Sequence, residues 1–552
     1  MLALEHYKLL DGYNSRDRVS FTYYDPDGRL YLVDNGKQVF LNKEAYEEFK
    51  KQGAVFYGNE YIRQGDYLFF TQVAKPGYEK YGILIRYDTK KGELKSWKFS
   101  KTKQITSPPK LVGDGRGKLL LVWVDESVSP KSFAYSLVEE YGEKFPEETI
   151  VHEKDRTTTE AVPLYLQERG FFVLYLSASK QGSELRLRSV PEGKEVTLIK
   201  TGPGNIIYSF VVSHNQKEGK VVVAPLTENR EKQDIYVYSE SSLLEGKPEK
   251  SFNVKLLHKT YDLLGVLYVG GKTYLFAGFR PDGSLELKEY NISLPNRYNI
   301  YYSVDGGRFE RLSQSEPAHM FTSTMPSFAS QDKSILVAYI DSPFINRNVG
   351  LAYIQDGKIK AGAVSLEGPN VSTGYPQVLP LDKGLYRLMY PVYDNKKNRW
   401  FFRVVDLKGE GIYTKYKLPP ASELKDALKK RTEEFAKCRK ADNVDCFYEY
   451  FDLGYRTLVT KEQQKAMLST LSIKMTDFKY EKVRYIEGTP FAVAEGYLSF
   501  RFTSDTIGGR VEVPKGYRGK DIKDKIAHLW VYHNGTWYYV VETMFRAYSL
   551  TW

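Results

Sequence analysis

The chain has 552 residues, 42% hydrophobic and 27% charged, which suits a soluble globular protein long enough for two or more domains. Aromatics reach 14%, driven by 45 Tyr, and tyrosine favours pleated, half-buried surfaces, so the composition points to a β-rich protein. The net charge of +11 comes from Lys and Arg scattered without a dense run, which reads as a solvated basic surface and gives no reason to expect a nucleic-acid partner.

The N-terminal stretch "MLALEHYKLLDGYNSRD" lacks a basic segment followed by an apolar one, so it is not a signal peptide. The expectation is a cytoplasmic protein, or an extracytoplasmic one (periplasmic or cell surface) whose signal has been removed. No stretch approaches the roughly 20 apolar residues of a membrane span. Only 2 Cys, 7 Met and 7 His stand beside abundant Lys and Glu, a balance that would suit a thermophile.

From residue 19 onward one pattern recurs at a period of about fifty residues. Long apolar strands are predicted at "VSFTYYD", "GDYLFFTQV", "GKLLLVWVD", "GFFVLYLS", "GKVVVAPL", "GKTYLFAGF", "SILVAYID" and "GLYRLMYPV". Four of them follow a Pro-led strand, at Pro109, Pro163, Pro326 and Pro376. Proline at the first residue of a strand costs no ladder bond. Hairpins come after each long strand, with Lys91-Gly92 and Asp356-Gly357 supplying the positive-φ positions of tight turns. Each unit reads as four short antiparallel strands. A sheet that small cannot bury both faces alone, so radial packing into a β-propeller of seven or eight four-stranded blades is expected, with eight preferred. The propeller is assigned to residues 1–419.

Within the sixth unit, "IYYSVDGGRFERL" falls on the turn between the two outer strands. Ser303, Asp305, Gly307 and the aromatic Phe309 resemble the Asp box, or bacterial neuraminidase repeat, of sialidase-like propellers. That resemblance implies a structural hairpin on the face opposite any substrate site: the Asp carboxylate accepts N–H bonds within its own turn, the Gly takes positive φ, and the aromatic packs between strands. It also implies, for an active member, three arginines clamping a carboxylate, a Tyr nucleophile activated by a Glu, and an Asp acid/base. No Arg-Ile-Pro tripeptide, the usual site of the first clamp arginine, occurs here. A binding site on the propeller is expected on the loops after the long strands, where "DESVSPKSF" and "DSPFINRNVG" offer Asp125, Glu126, Asp341 and Arg347. Loop-capping Asp and solvated Arg explain the same residues. No catalytic residue is assigned.

At "KLPPASELKDALKKRTEEF" the pattern changes. Ser422 is a candidate N-cap for a helix to about Lys437, with Leu424, Leu428, Thr432 and Phe435 on one face. A second helix is predicted over "DCFYEYFDLGYRTLV" and a third after Thr460, followed by strands in "KYEKVRYIEG", "PFAVAEGYLSFRFT" and "IAHLWVYHNGTWYYVVET", the last a hairpin at Asn534-Gly535. Helices followed by a curved sheet that ends in "HLWVYHNGTWYYVVE" are similar to the nuclear transport factor 2-like cone fold. The resemblance implies an α+β domain over 420–552 with a pocket used for catalysis, binding or dimerisation. Trp530, Trp537 and Tyr539 are read as core or pocket lining, and His528 and His533 should face opposite sides. Cys438 and Cys446 read equally as a local disulfide or as two unrelated buried thiols.

No His/Cys cluster has metal-ligand spacing, and no GxSxG elbow or phosphate-binding loop occurs, so neither metal nor cofactor is expected. The sequence favours a non-catalytic binding or assembly protein whose loop face takes a protein or glycan, with oligomerisation through the C-terminal domain. The alternative is a glycan-active hydrolase resembling sialidases.

Overall fold

The computed structural model describes residues 7–541 apart from 100, 144–146, 230, 280–284, 288–291, 295–298, 313–320, 323–325, 343–347, 364–366, 368–370, 383, 395–396, 398, 412–418, 508, 510 and 534. The predicted long strands are all present, as the second strands of eight successive antiparallel sheets. They run Ser20–Tyr24, Tyr67–Lys75, Leu119–Asp125, Gly170–Ser179, Lys220–Thr227, Lys272–Phe279, Ser334–Ser342 and Leu385–Asp394. Each sheet is a meander of contiguous chain, and each buries a mainly apolar second strand against its neighbours. Leu164, Leu174 and Leu187 of blade 4, for instance, form one core with Phe210, Val221 and Val223 of blade 5. The fold is an eight-bladed β-propeller, the larger of the two predicted counts.

The first strands depart from regular geometry near their starts. Register shifts occur between Tyr57 and Glu60 in blade 2, Thr158 and Glu160 in blade 4, Ile207 and Ser209 in blade 5, and Leu263 and Gly265 in blade 6. In blades 7 and 8 the first strand is split into Phe321–Thr322 with Ser327–Gln331, and Val371–Thr373 with Gln377–Pro380. Pro326 and Pro376 lie in the gaps because neither can donate to the ladder. Pro163 differs from the expectation: it lies inside Thr157–Leu166, opposite Val173. An innermost strand is an edge strand, where a missing N–H costs no ladder bond.

Blade 1 is built from Lys8–Leu9, Ser20–Tyr24, Leu30–Asp34 and Lys37–Phe40, so among the described residues no strand is exchanged to close the ring. Side chains do the closing. Gln377 of blade 8 accepts from the Leu9 N–H (2.7 Å) and donates to the Tyr7 carbonyl (2.9 Å). Arg387, 1% exposed, donates to both carboxylate oxygens of Asp406 (2.7 and 2.8 Å) and reaches across to Asn14 Oδ1 (2.9 Å) and the Arg18 carbonyl (2.5 Å). Tyr7, Leu9 and Phe21 pack on Leu379, Met389 and Phe402 beneath these bonds.

The C-terminal part is α+β. Helix α1 spans Ala421–Lys440, longer than predicted and capped at Pro420 rather than Ser422. It buries Leu424, Leu428, Thr432, Phe435 and Cys438 against a four-stranded antiparallel sheet of Ile473–Tyr485, Phe491–Phe502, Ile522–His533 and Thr536–Tyr539. The predicted second helix is broken into α2 (Val444–Phe447), a 3-10 turn at Tyr448–Tyr450, and α3 (Leu453–Leu458). The break occurs because Phe451 bridges to Tyr539, the Asp452 N–H donates to the Tyr539 carbonyl (2.8 Å), and the Asp452 carboxylate caps α3. Helix α4 (Lys461–Thr470) begins at Thr460 with a capping box to Gln463, as expected. Cys438 and Cys446 are disulfide-bonded, with Cα atoms 5.5 Å apart, joining α1 to α2. The final hairpin forms with Gly535 at φ 86°, while Asn534 lies outside the described residues.

Candidate functional site

In a meander blade the first–second and third–fourth turns share one rim, the turn face. The second–third links and the links between blades share the other, the loop face. Asp125 ends the second strand of blade 3 and Asp341 lies near the end of that of blade 7, so both reach the loop face, as expected. Asp125 is fully buried: Oδ1 accepts from the Ser127 N–H (2.9 Å). Glu126 is ion-paired with Lys131 within the same loop. Asp341 is buried opposite Asn348 of the third strand, and Arg347 lies outside the described residues. Blades 3 and 7 are opposite one another in a ring of eight. Strands in a sheet are about 4.8 Å apart, so opposite second strands are separated by two spacings, about 10 Å, plus the channel. Carboxylates acting on one glycosidic bond stand about 5–10 Å apart. Asp125 and Asp341 are therefore not brought together.

The Asp-box-like turn lies on the turn face, where Asp305 (φ 49°) and Gly306 (φ 75°) form the bend between Asn299–Val304 and Glu310–Arg311. Two details differ from the expectation. Gly306, not Gly307, takes positive φ, and the Asp305 carboxylate accepts from the Thr273 N–H of the second strand (2.8 Å) rather than within its own turn. The reason is that Asp305 itself occupies the left-handed position, which turns its side chain toward the neighbouring strand. Ser303 Oγ donates to the Gly307 carbonyl, and Phe309 is buried edge-on against Phe279 (5.0 Å) in the core shared with blade 5.

Three arginines do converge, between blades 3 and 4. Arg156, Arg186 and Arg188 surround Tyr175 together with Glu153, Glu184 and Glu195. Each guanidinium has its own carboxylate: Arg186 is paired with Glu184, Arg188 meets Glu195 at 2.6 Å, and Arg156 lies 3.6 Å from Glu153. Tyr175 is fully buried, and burial foremost pushes its phenol well above the ordinary value. A nucleophilic tyrosine needs the opposite shift. Sequence reading missed this seam because its six charges are scattered over more than forty residues of chain.

The loop face also carries exposed apolar side chains: Tyr78 (95%), Val55 (60%), Tyr208 (50%) and Leu257 (46%). They belong to the second–third link of blade 2, the starts of the first strands of blades 2 and 5, and the link into blade 6.

In the C-terminal part, α1 and the sheet pack an aromatic cluster between them. Phe435 and Arg439 come from α1, Phe478 and Tyr480 from Ile473–Tyr485, His528 and Trp530 from Ile522–His533, and Tyr539 from the last strand. The Phe435 ring lies 5.4 Å from those of Trp530 and Tyr539, and His528 lies 4.5 Å from Tyr539. The alternation expected for His528 and His533 holds, since they are at opposite parity on the third strand. Burial, then the Arg439 charge, lower the His528 pKa to about 3, so the ring is neutral at pH 7. Burial raises the Tyr480 phenol well above its usual value, and its hydroxyl is hydrogen-bonded to His528 Nδ1 (2.6 Å). The Arg439 guanidinium lies over the Phe447 ring at 4.4 Å and the Phe478 ring at 5.8 Å. Burial lowers its pKa, opposed by the Tyr539, Asp442 and Tyr480 groups. His528 was legible only as a non-metal histidine, and Arg439 gave no signal in a Lys/Arg-rich helix.

No protein-family model matches the chain, and no curated protein matches it. Among solved structures it is similar to one of two prolyl endopeptidases (TM-score 0.41, 15% identity, 71% of this chain), and the match spans 55% of that enzyme's length. It is similar to the polysaccharide lyase Uly1 (TM-score 0.40, 11% identity, 64% of this chain and 90% of that one). It is also similar to the β-propeller domain of the trilobed protease from Pyrococcus furiosus (TM-score 0.35, 11% identity, 66% of this chain and 99% of that one).

Proposed function

We propose that the chain is a non-catalytic binding or assembly protein whose propeller docks a protein partner on its loop face. The propeller domain covers 1–419, and a nuclear transport factor 2-like domain covers 420–552. One observation carries the reading: Tyr78, Val55, Tyr208 and Leu257 stand exposed on the face that gathers the loops. Two lie on blade 2 and two at blade 5 and its link to blade 6, and exposed large apolar side chains on a loop face support an interaction surface. Aliphatic Val55 and Leu257 beside the tyrosines favour a protein over a glycan, which would use aromatic platforms. Glu126, paired with Lys131 in the same loop, adds a polar contact on that face, whereas Asp125 and Asp341 are buried there and Arg347 lies outside the described residues. A Cys438–Cys446 disulfide supports an oxidising, extracytoplasmic compartment. Exposed Met467 and Leu471 at α4 support a second contact through the C-terminal domain.

The test places a photo-crosslinking residue at 78, at 208 and, on the turn face, at 217 in cells that produce the protein. A partner captured at 78 and 208 but not at 217 supports the reading. Equal capture on both faces, or none, refutes it. A glycan array with the intact protein separates the glycan alternative, and turnover of any bound glycan would favour the hydrolase.

A further inference from the structure

At the loop end of blade 3 the two oxygens of the buried Asp125 carboxylate differ. Oδ1 accepts from the Ser127 N–H (2.9 Å), whereas Oδ2 is sealed from solvent with no hydrogen-bond partner among the described residues. Two hydroxyl oxygens share that condition, Ser132 Oγ and Thr102 Oγ1, both on fully buried residues. The topology gathers the three. Ser132 stands directly opposite Asp125 across the second and third strands, which puts their Cβ atoms about 4.5–5.5 Å apart on one side of the blade. Trp123, two residues before Asp125, takes the same side, and its ring stacks on Phe99 at 4.6 Å. That side is therefore the one crossed by the link from blade 2. Thr102 lies on this link, between Phe99 and Ile105, and Ile105 bridges to Asp125. A buried carboxylate without a counter-charge is strongly unfavourable. Lys131, the nearest cation in sequence, is paired with Glu126, and among the described residues no Lys, Arg or His side chain pairs with Asp125. Carboxylate and hydroxyl oxygens are hard donors, suited to alkali and alkaline-earth ions rather than to transition metals. One negative charge beside two neutral oxygens balances a monovalent ion, whereas a divalent site recruits more carboxylates. Among the described residues no group of three His, Cys, Asp or Glu side chains could supply them. We propose that Asp125 Oδ2, Ser132 Oγ and Thr102 Oγ1 bind a sodium or potassium ion that pins the link from blade 2 onto blade 3.

The ion site does not rest on the loop-face docking reading, so each stands or falls alone. The intact protein is melted in the chlorides of sodium, potassium and choline at matched ionic strength, with magnesium and calcium chloride as divalent arms. The expected result is a midpoint that climbs with the logarithm of sodium or potassium concentration and stays flat in choline. Asp125→Asn keeps the Oδ1 acceptor for the Ser127 N–H and removes the charge. It should melt at one temperature in all the salts, and above the unaltered protein in choline. Ser132→Ala and Thr102→Val should each weaken the ion several-fold. One midpoint in every salt, an effect of the divalent ions alone, or a sodium or potassium response that survives Asp125→Asn would overturn the proposal. Should Asp125→Asn fail to fold, the salt series on the unaltered protein and the affinity of Ser132→Ala still decide it.

Discussion

Arg387→Met should open the propeller at the seam between blades 8 and 1. The guanidinium is 1% exposed and makes short bonds to Asp406, Asn14 and the Arg18 carbonyl, with a longer one to the Arg16 carbonyl (3.4 Å). Methionine keeps much of the volume and loses every donor. Breaking a buried pair by removing one partner costs about 3–5 kcal/mol. Here the Asp406 side chain remains 32% exposed and can be rehydrated, which trims that term. Asn14 Oδ1 and the Arg18 carbonyl each keep one bond, from the Ser20 and Ser15 N–H groups, so the lost arginine bonds there add about 0.5–1.5 kcal/mol each. A local cost of about 4–6 kcal/mol follows, enough to lower protection of the seam about a thousand-fold or more. Native-state hydrogen exchange is the right assay, because a chain this size need not unfold in one step. The amides of Leu9 and of the Gln377–Pro380 strand should exchange faster, while those of blades 3 to 6 stay unchanged. Arg387→Lys, which retains charge without the fork, should recover less than half of the loss. Loss of protection below about tenfold at the seam, or equal loss around the ring, would refute the view that side chains close it.

Other substitutions test other joints. Phe309→Ala removes an aromatic wedge between blades 5 and 6 and should cost about 3–5 kcal/mol in chemical denaturation, without changing loop-face crosslinking. Asp305→Ala loses the bond to the Thr273 N–H and puts alanine at φ 49°, for about 1–3 kcal/mol by the same assay. Reducing Cys438–Cys446, which closes a short loop of sequence separation 8, should lower stability by about 2–3 kcal/mol, read as the melting-temperature difference with and without dithiothreitol. His528 and His533 both have pKa values lowered to about 3 by burial, against about 6.5 when unfolded. The unfolded chain thus binds more protons between those values, so their contribution is fully present above about pH 6.5 and is lost as pH falls toward 3. Each should add a slope of up to about 1.4 kcal/mol per pH unit in that window, and His533→Gln should flatten it by that amount if the variant folds.

What the sequence exposed and what it hid follow one physical line. The second strands were legible because they are buried on both faces and written as unbroken apolar runs, as in Leu119–Asp125. The bulges at Glu60, Glu160 and Ser209 were not, because inner strands face a channel and carry mixed residues with no strict period. The turn at Asp305 was placed correctly from its residue types, yet which residue takes positive φ depends on the neighbouring Thr273 amide, a tertiary partner. The break at Phe451 had no local signal either, since "FYEYFDLGY" reads as helix until Tyr539 offers it a bridge. Seam residues such as Arg387 and Asn14 are far apart in sequence and become partners only when the ring closes.

That broken helix ties the two halves of the molecule. Phe451 and Asp452 hold the Tyr539 strand, whose ring belongs to the aromatic cluster, through the bridge and the 2.8 Å bond to the Tyr539 carbonyl. Immediately after, α3 lies against blade 8, where the Tyr393 hydroxyl donates to the Arg456 carbonyl (3.4 Å). Arg456 is itself pinned by Glu449 (2.7 Å). Blade 8 is also the blade that closes the ring through Gln377 and Arg387. A continuous helix over 445–459 could not serve both contacts, because the extended residue Phe451 is what lets the chain pair with the last strand before turning toward the propeller. The irregularity that sequence reading smoothed into one helix is thus the joint on which the C-terminal part is mounted.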